Sequence, residues 1–221
     1  MTAPRAFGID QIVPRLPAFM QAHPRVSVQL SLSDTLANLI EDHFDVAVRM
    51  GRLQDSSLQS RRLCGLQRIV VASPRYLEAH GAPATPADLA RHTCLLWQGP
   101  MDHLNRWPFD VDGQPQEVAV HGRLRSNDGT VLYRMCVDGL GIMRLAEHLA
   151  LPAIRAGLLV PLLVDQQAFD DTAIHVVFLP ERRLVPRIRA FVDHFAAAFD
   201  PTPWSAPGAA VRPGPIHCDR Q

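Results

Sequence analysis

Residues 44–51 read FDVAVRMG. Val46, Ala47 and Val48 form the continuous apolar run that a strand buried on both faces carries. The run ends on Arg49, a residue type rarely buried without a partner, and turns at Gly51. Upstream, VSVQLSLSD (26–34) alternates Val26, Val28, Leu30 and Leu32 with polar residues, which is strand periodicity. Before that, Ile9, Ile12, Val13, Leu16, Phe19 and Met20 follow helical spacing. Pro14 and Pro17 leave the start of that helix open, and His23-Pro24 closes it. Ser33 and Asp34 have the chemistry of N-caps for a further helix carrying Leu36, Leu39 and Ile40. Residues 1–50 thus alternate helix, strand, helix, strand, the cadence of a parallel α/β sheet.

A second block repeats the pattern. Val70–Ser73 reads as a strand with a turn or helix starting at Ser73-Pro74. Residues 80–115, punctuated by Pro83, Pro86, Pro100, Pro108 and Pro115, read as irregular apart from a short helix near Pro86–Ala90. In SNDGTVLYRMCVDGLGI (126–142), Asn127 or Asp128 caps a helix with Val131, Leu132, Met135 and Cys136 on one face, and Gly139 ends it. A short strand from Ile142, a helix over Ala146–Ala156, a strand in LLVPLL and another in TAIHVVFLP follow. Val185, Ile188, Val192, Phe195 and Phe199 then line one face of a last amphipathic helix, and Phe191, Phe195 and Phe199 read as core. Residues 200–221, rich in proline and glycine, read as a disordered tail.

Composition narrows the function. The chain has 221 residues, 47% of them hydrophobic, enough for a full core. Lys+Arg and Asp+Glu are 22 each, a net charge of +0, so a tight grip of this chain alone on a phosphate backbone is not expected. Cys64, Cys94, Cys136 and Cys218 show no CxxC spacing and read as reduced thiols. The first residues lack the apolar stretch of a secretory signal, and no segment reaches the roughly 20 apolar residues of a membrane span. The expectation is a soluble, cytoplasmic chain without membrane contact.

Motifs for chemistry are missing. There is no GxSxG elbow and no P-loop. GLGIMR (139–144) follows a helix and lacks a third glycine, so it fails as a dinucleotide fingerprint. The ten histidines form neither HxxxH nor HExxH, which leaves a metal without support. No catalytic residue, cofactor or metal is expected.

Placement carries more. In open α/β sheets, ligands sit beyond the carboxyl ends of the strands, near helix N-termini. Arg5 to Phe7, Ser33, Asp34 and Arg49 fall there in the first block, and Asn127 and Asp128 in the second. Two such lobes facing each other would enclose a cleft suited to a small carboxylate. A hydrogen bond to a charged group contributes roughly 1.5–3 kcal/mol, whereas micromolar affinity needs about 8 kcal/mol. Arg49 alone is therefore insufficient, and further polar groups and buried apolar ligand surface are required. Two readings of Arg49 stay open: it meets ligand, or it pairs with an acid such as Asp45 or Asp34 to brace the fold. Ser33 and Asn127 are first of all caps, and Arg5 is equally readable as solvated.

Four stretches together resemble a known family: LPAFMQAHPRVSVQLSLSD (16–34), LIEDHFDVAVRMGRLQDSSLQSRRL (39–63), VVASPRYLEAHGAPATPADLARHTCL (70–95) and the later GLGI with LPAIRAGLLVPLL. They are similar to the effector-binding domain of LysR-type transcriptional regulators, over about residues 3–199. The resemblance implies a type 2 periplasmic-binding-protein-like fold of two Rossmann-like lobes with a hinge. Lobe I would be residues 1–68 plus 175–199, lobe II residues 69–174, with crossovers at Arg68–Ser73 and His175–Leu179. It implies a cleft binding a small organic acid or aromatic effector, at Arg5, Phe7, Ser33, Asp34, Arg49, Met50, Gly51, Asn127 and Asp128. It also implies a homodimer or tetramer, pairing Leu36, Leu39, Ile40 and His43 of one copy with Val131, Arg134 and Met135 of another. Promoter DNA would be reached only through an N-terminal winged helix-turn-helix, which is absent from this sequence, and Met1 matches only the end of the family's first strand. A transport binding protein of the same fold, or an enzyme on an α/β scaffold, are the rival readings.

Overall fold

A computed structural model describes residues 1–35, 38–51, 58–170, 172–200 and 202–204. Its first sheet runs in the order β2–β1–β3–β12–β4. These strands are β1 (Thr2–Ala3), β2 (Ser31–Leu32), β3 (Ala47–Met50), β4 (Gln59–Leu66) and β12 (Thr172–Phe178). β1 pairs parallel with both β2 and β3, and β12 lies antiparallel between β3 and β4. Only two residues of the 26–32 segment join the ladder, because β1 offers just two residues to pair with. The alternation still governs burial: Val26, Val28 and Leu30 are half-buried while Ser27 and Gln29 are exposed.

Between β1 and β2 the chain is helical from Arg5, earlier than the periodicity suggests. The run comprises α1 (Arg5–Phe7), a π-helical turn (Gly8–Ile12), a 3-10 turn (Val13–Arg15) and α2 (Leu16–Ala22). Changing helix type absorbs two prolines that cannot donate a backbone N–H. Phe7, Ile12 and Phe19 fall on the buried face, each 0% exposed.

The helix expected after Ser33 and Asp34 is not seen among the described residues, where 39–43 form a turn and His43 adopts φ 55°. Local side chains compete for the backbone there. Asp42 Oδ2 accepts from the Asn38 N–H (2.9 Å) and Asn38 Oδ1 from the Ile40 N–H (3.1 Å). Leu36 lies outside the described residues.

The second lobe is built on β5 (Arg68–Ala72), flanked antiparallel by β10 (Met143–Ala146) and β11 (Val160–Pro161). A parallel pair, β6 (Leu95–Trp97) and β9 (Leu124–Ser126), joins through a bridge between Cys94 and Ile142. Packed on these strands are α4 (Gly129–Val137) and α5 (Glu147–Arg155), α3 (Pro74–His80) buries Tyr76 in the same core, and α6 (Pro186–Ala198) covers β4.

The proline-punctuated stretch is more ordered than expected. Beyond the 3-10 turn Pro86–Arg91 it contains an antiparallel hairpin of β7 (Arg106–Val111) and β8 (Gln114–Ala119). Its two-residue loop, Asp112-Gly113, has φ of 55° and 76°, the positive pair that a tight hairpin turn needs. Trp107 and Phe109 anchor it at 2% and 1% exposure.

The chain passes between lobes twice, at Gln67 and at Asp170. β5 starts in the second sheet at Arg68, and β12 lies in the first sheet from Thr172. The Gln67 side chain ties the two passages together: Nε2 donates to the Asp170 carbonyl (2.7 Å) and Oε1 accepts from the Asp170 N–H (2.9 Å). The expected tail needs correction at its start. Trp204 is 3% exposed and sits against Phe7, His148 and Phe199. Residues 205–221 lie outside the described residues.

Candidate ligand-binding cleft

A cleft of ≈ 780 Å3 opens between the two lobes. The start of the first helix, Ser33, Asp34 and the end of β3 form one wall. The other comes from Trp97, the turn Gly99–Asn105, the start of α4 and the strand β10. These pieces meet because strand ends and helix starts of both lobes point the same way.

Of the expected site residues, Phe7, Ser33, Asp34, Arg49, Met50 and Gly51 line the cleft. Arg5, Asn127 and Asp128 do not. Asp128 is turned back onto its own helix, accepting from the Thr130 and Val131 N–H groups at 2.8 and 3.3 Å. Arg5 Nε pairs with Asp128 Oδ2 at 2.9 Å, and Asn127 is exposed. A capping side chain is already engaged with its helix end, which withdraws it from the cleft.

Asp34 does something its sequence position does not reveal. Its Oδ1 accepts from the Arg5 N–H (2.9 Å) and its Oδ2 from the Gly129 N–H (3.0 Å). One carboxylate therefore sits on the N-terminal ends of α1 and α4 and ties lobe to lobe. The lack of a side chain at Gly129 leaves room for Trp97, whose ring a Cβ there would meet at 2.9 Å. Ser33 Oγ accepts from the Thr35 N–H at 3.1 Å, a local turn.

Arg49 reaches the cleft from β3, and burial pushes its guanidinium below the ordinary value. Asp45, one acid weighed as its brace, engages Arg182 and Arg187. At the floor lie Arg68, Arg144 and Asp170, none of them expected from the sequence. Arg144 Nη2 is 2.6 Å from Asp170 Oδ2 but lacks the alignment of a hydrogen bond. Arg68 Nη1 lies 3.9 Å from Asp170 Oδ1, and the Arg68 N–H donates to Asp170 Oδ2 at 3.0 Å. Burial lowers the Arg68 pKa, partly offset by Asp170 and reinforced by Arg144. The signal for Arg144 was present in IMRLA (142–146), where an arginine interrupts an apolar run as Arg49 does.

A further polar bridge crosses the lobes beside Phe7. His148, 1% exposed, has Nδ1 3.1 Å from Asp10 Oδ2. Burial alone would raise the Asp10 pKa, yet hydrogen bonds from His148 and Gln11, with the charges of His148 and Arg15, hold it below the carboxylate norm. Cys64, Cys94 and Cys136 are buried thiols pushed by burial to about 12. Among the described residues no group of three His, Cys, Asp or Glu side chains could hold a metal. Nor is any helix there long and apolar enough to cross a membrane.

The family model described as the LysR substrate binding domain matches residues 1–200. The chain belongs to that family. Relatives of this LysR-family domain include an uncharacterized HTH-type transcriptional regulator of Haemophilus influenzae, 36% identical over 84% of this chain and 64% of that protein. The HTH-type transcriptional regulator CrgA of Neisseria meningitidis serogroup B is 33% identical over 82% of this chain and 60% of its own length. The chain thus spans 60–64% of these curated relatives. The solved CrgA regulatory domain superposes with a TM-score of 0.82 at 31% identity, over 89% of this chain and 96% of that one. Full-length AphB of Vibrio cholerae gives 0.74 at 26% identity, over 89% of this chain and 66% of that one. The two-lobe α/β fold of the type 2 periplasmic-binding-protein kind is thereby established, as the resemblance implied.

In the LysR-family domain the residues expected to pair two copies divide sharply. Ile40 is 63% and Val131 39% exposed, and His43 and Arg134 are exposed as well. Leu39 is 3% exposed, packed with Ala47 and Val177, and Met135 leans on the main core. These two serve the interior first, because each occupies the apolar side of its own segment.

Proposed function

We propose that this chain is the ligand-sensing regulatory domain of a LysR-type transcriptional regulator and has no catalytic role. In this reading a small organic molecule enters the interlobe cleft, and promoter DNA is held by a separate helix-turn-helix of the kind named in the relatives. The observation that carries the reading is a cleft of ≈ 780 Å3 whose walls come from both lobes. A ligand touching both walls favours one lobe arrangement over others, and only such differential affinity shifts a population. Moving a two-state balance from 1:99 to 99:1 takes about 5.5 kcal/mol of it.

Arg49, Ser33, Met50 and Gly51 form the first-lobe side of the site, and assembly brings two copies together through Ile40 and His43 against Val131 and Arg134. The test is a thermal-shift screen of this chain against a metabolite set spanning neutral, cationic and anionic compounds, with Arg49→Ala alongside. A saturable rise in Tm with one chemical class supports the reading, since native-state ligands stabilise by mass action. A cooperative melt that no compound raises overturns it. Arg49→Ala that folds but loses the shift assigns Arg49 to the ligand; loss of the fold assigns it to the cleft wall.

A further inference from the structure

Two guanidinium groups share one carboxylate at the floor of the cleft. Arg144 is 7% exposed and lines the cavity. Among the described residues its side chain makes no aligned hydrogen bond; its one close contact is Asp170 Oδ2. Arg68, with a side chain 12% exposed, approaches the same carboxylate at 3.9 Å. Asp170 Oδ2 is further claimed by the Arg68 N–H, and the Asp170 backbone is held by Gln67. Two buried guanidinium groups set against one carboxylate leave a net positive charge at the floor, and a buried charge is costly unless it is paired.

The opposite side of the cleft is already satisfied. There the helix ends that commonly attract anions are filled by the protein's own Asp34 carboxylate. A second negative group directed at those helix ends would meet the Asp34 carboxylate, whereas Arg49 reaches the same wall from the end of β3. Between the two sides the lining includes the apolar Trp97, Met101, Leu104 and Leu149.

Resting on the reading of the cleft as an effector site, we infer that its ligand is a monocarboxylate with an apolar body. The ligand carboxylate is held by Arg144 and Arg68 at the hinge, away from the helix N-termini. The site lies on the two chain passages, at Gln67–Arg68 and Asp170, so an anion there couples charge neutralisation to the angle between lobes. Arg144 from β10 and Arg68 at the crossing present forked donors that suit the two oxygens of one carboxylate.

The experiment uses this chain with defined probes: hexanoate, cyclohexanecarboxylate, their amides hexanamide and cyclohexanecarboxamide, and the diacid adipate. A monocarboxylate should raise Tm saturably, by about 2–4 °C at several times its Kd. The matching amide and adipate should give at most a tenth of the affinity. Arg144→Met should melt no lower than the parent without ligand, because one cation and one anion remain at the floor, and should lose the acid response. Amides that bind as well as the acids overturn the carboxylate assignment while leaving the cleft reading intact. Adipate binding as well as hexanoate overturns the role given to Asp34. An acid response that survives in Arg144→Met moves the subsite elsewhere and overturns this one. If none of the five probes binds, the monocarboxylate class is wrong, and the wider screen judges the cleft by itself. The acid–amide comparison on the parent chain decides the matter even if Arg144→Met does not fold.

Discussion

Asp34 shows how one side chain can act for two elements at once. A capping role was expected from its sequence neighbours, but its carboxylate crosses to the starts of α1 and α4. Asp34→Ala should weaken the join between lobes by about 1.5–3 kcal/mol, the range for hydrogen bonds to a charged group. Hydrogen–deuterium exchange should report this locally, with faster exchange at the Arg5 and Gly129 amides than at β5. Equal protection in the variant would show that the lobes hold without it. Asp10 gives a pH signature. Its folded pKa lies below the ordinary 3.8, so its stabilising contribution is complete above the unfolded value and disappears as pH falls through the folded one. Asp10→Asn should melt lower than the parent near pH 7, and the two melting curves should converge in acid. A gap that stays constant down to pH 3 would assign the loss to packing instead of charge.

At the scale of elements, the segments that departed from expectation did so for local reasons. The first helix continues through Pro14 and Pro17 by passing from π to 3-10 to α geometry, where periodicity alone offers no start. The β7–β8 hairpin hides behind Pro108 and Pro115, although Asp112-Gly113 is a strong hairpin signal. The prolines are tolerated because this two-stranded ribbon leaves edges where an N–H is dispensable. Past α6, Trp204 completes an aromatic group with Phe7, Phe199 and His148. Trp204→Ala should cost about 3–5 kcal/mol, as for large aromatic truncations in cores. Urea unfolding would measure it, and a change under 1 kcal/mol would mean that this ring is dispensable.

For the whole molecule, assembly and stability separate at two neighbouring residues. Ile40 is exposed and Leu39 buried. If two copies pair through this segment, Ile40→Asp should give folded monomers by light scattering after gel filtration. Leu39→Asp should instead lower stability by several kcal/mol, since it places a carboxylate in an apolar cluster. A parent mass retained in Ile40→Asp would move the interface away from this face. Among the described residues, polar crossings between the lobes include Asp34 to Gly129, Arg5 to Asp128, and Asp10 to His148. Each involves a charged group, so lobe arrangement should respond to what enters the cleft between them.

The sequence by itself determined the α/β class, the two blocks and the family. Those rest on local periodicity, caps such as Asp128 and Gly139, and motif strings that need no knowledge of distant neighbours. It also placed Ser33, Asp34 and Arg49 at the cleft, because strand ends and helix starts in this class converge there. Only the tertiary structure decided how those residues are used. The Asp34–Gly129 bond spans 95 positions and the Gln67–Asp170 pair 103, separations at which no local pattern carries information. Whether an arginine in an apolar strand reads ligand or braces the wall depends on which acids the fold delivers to it. At Arg144 the fold delivers, among the described residues, the Asp170 carboxylate that Arg68 also approaches, a grouping across β5, β10 and the chain crossing that no local pattern shows.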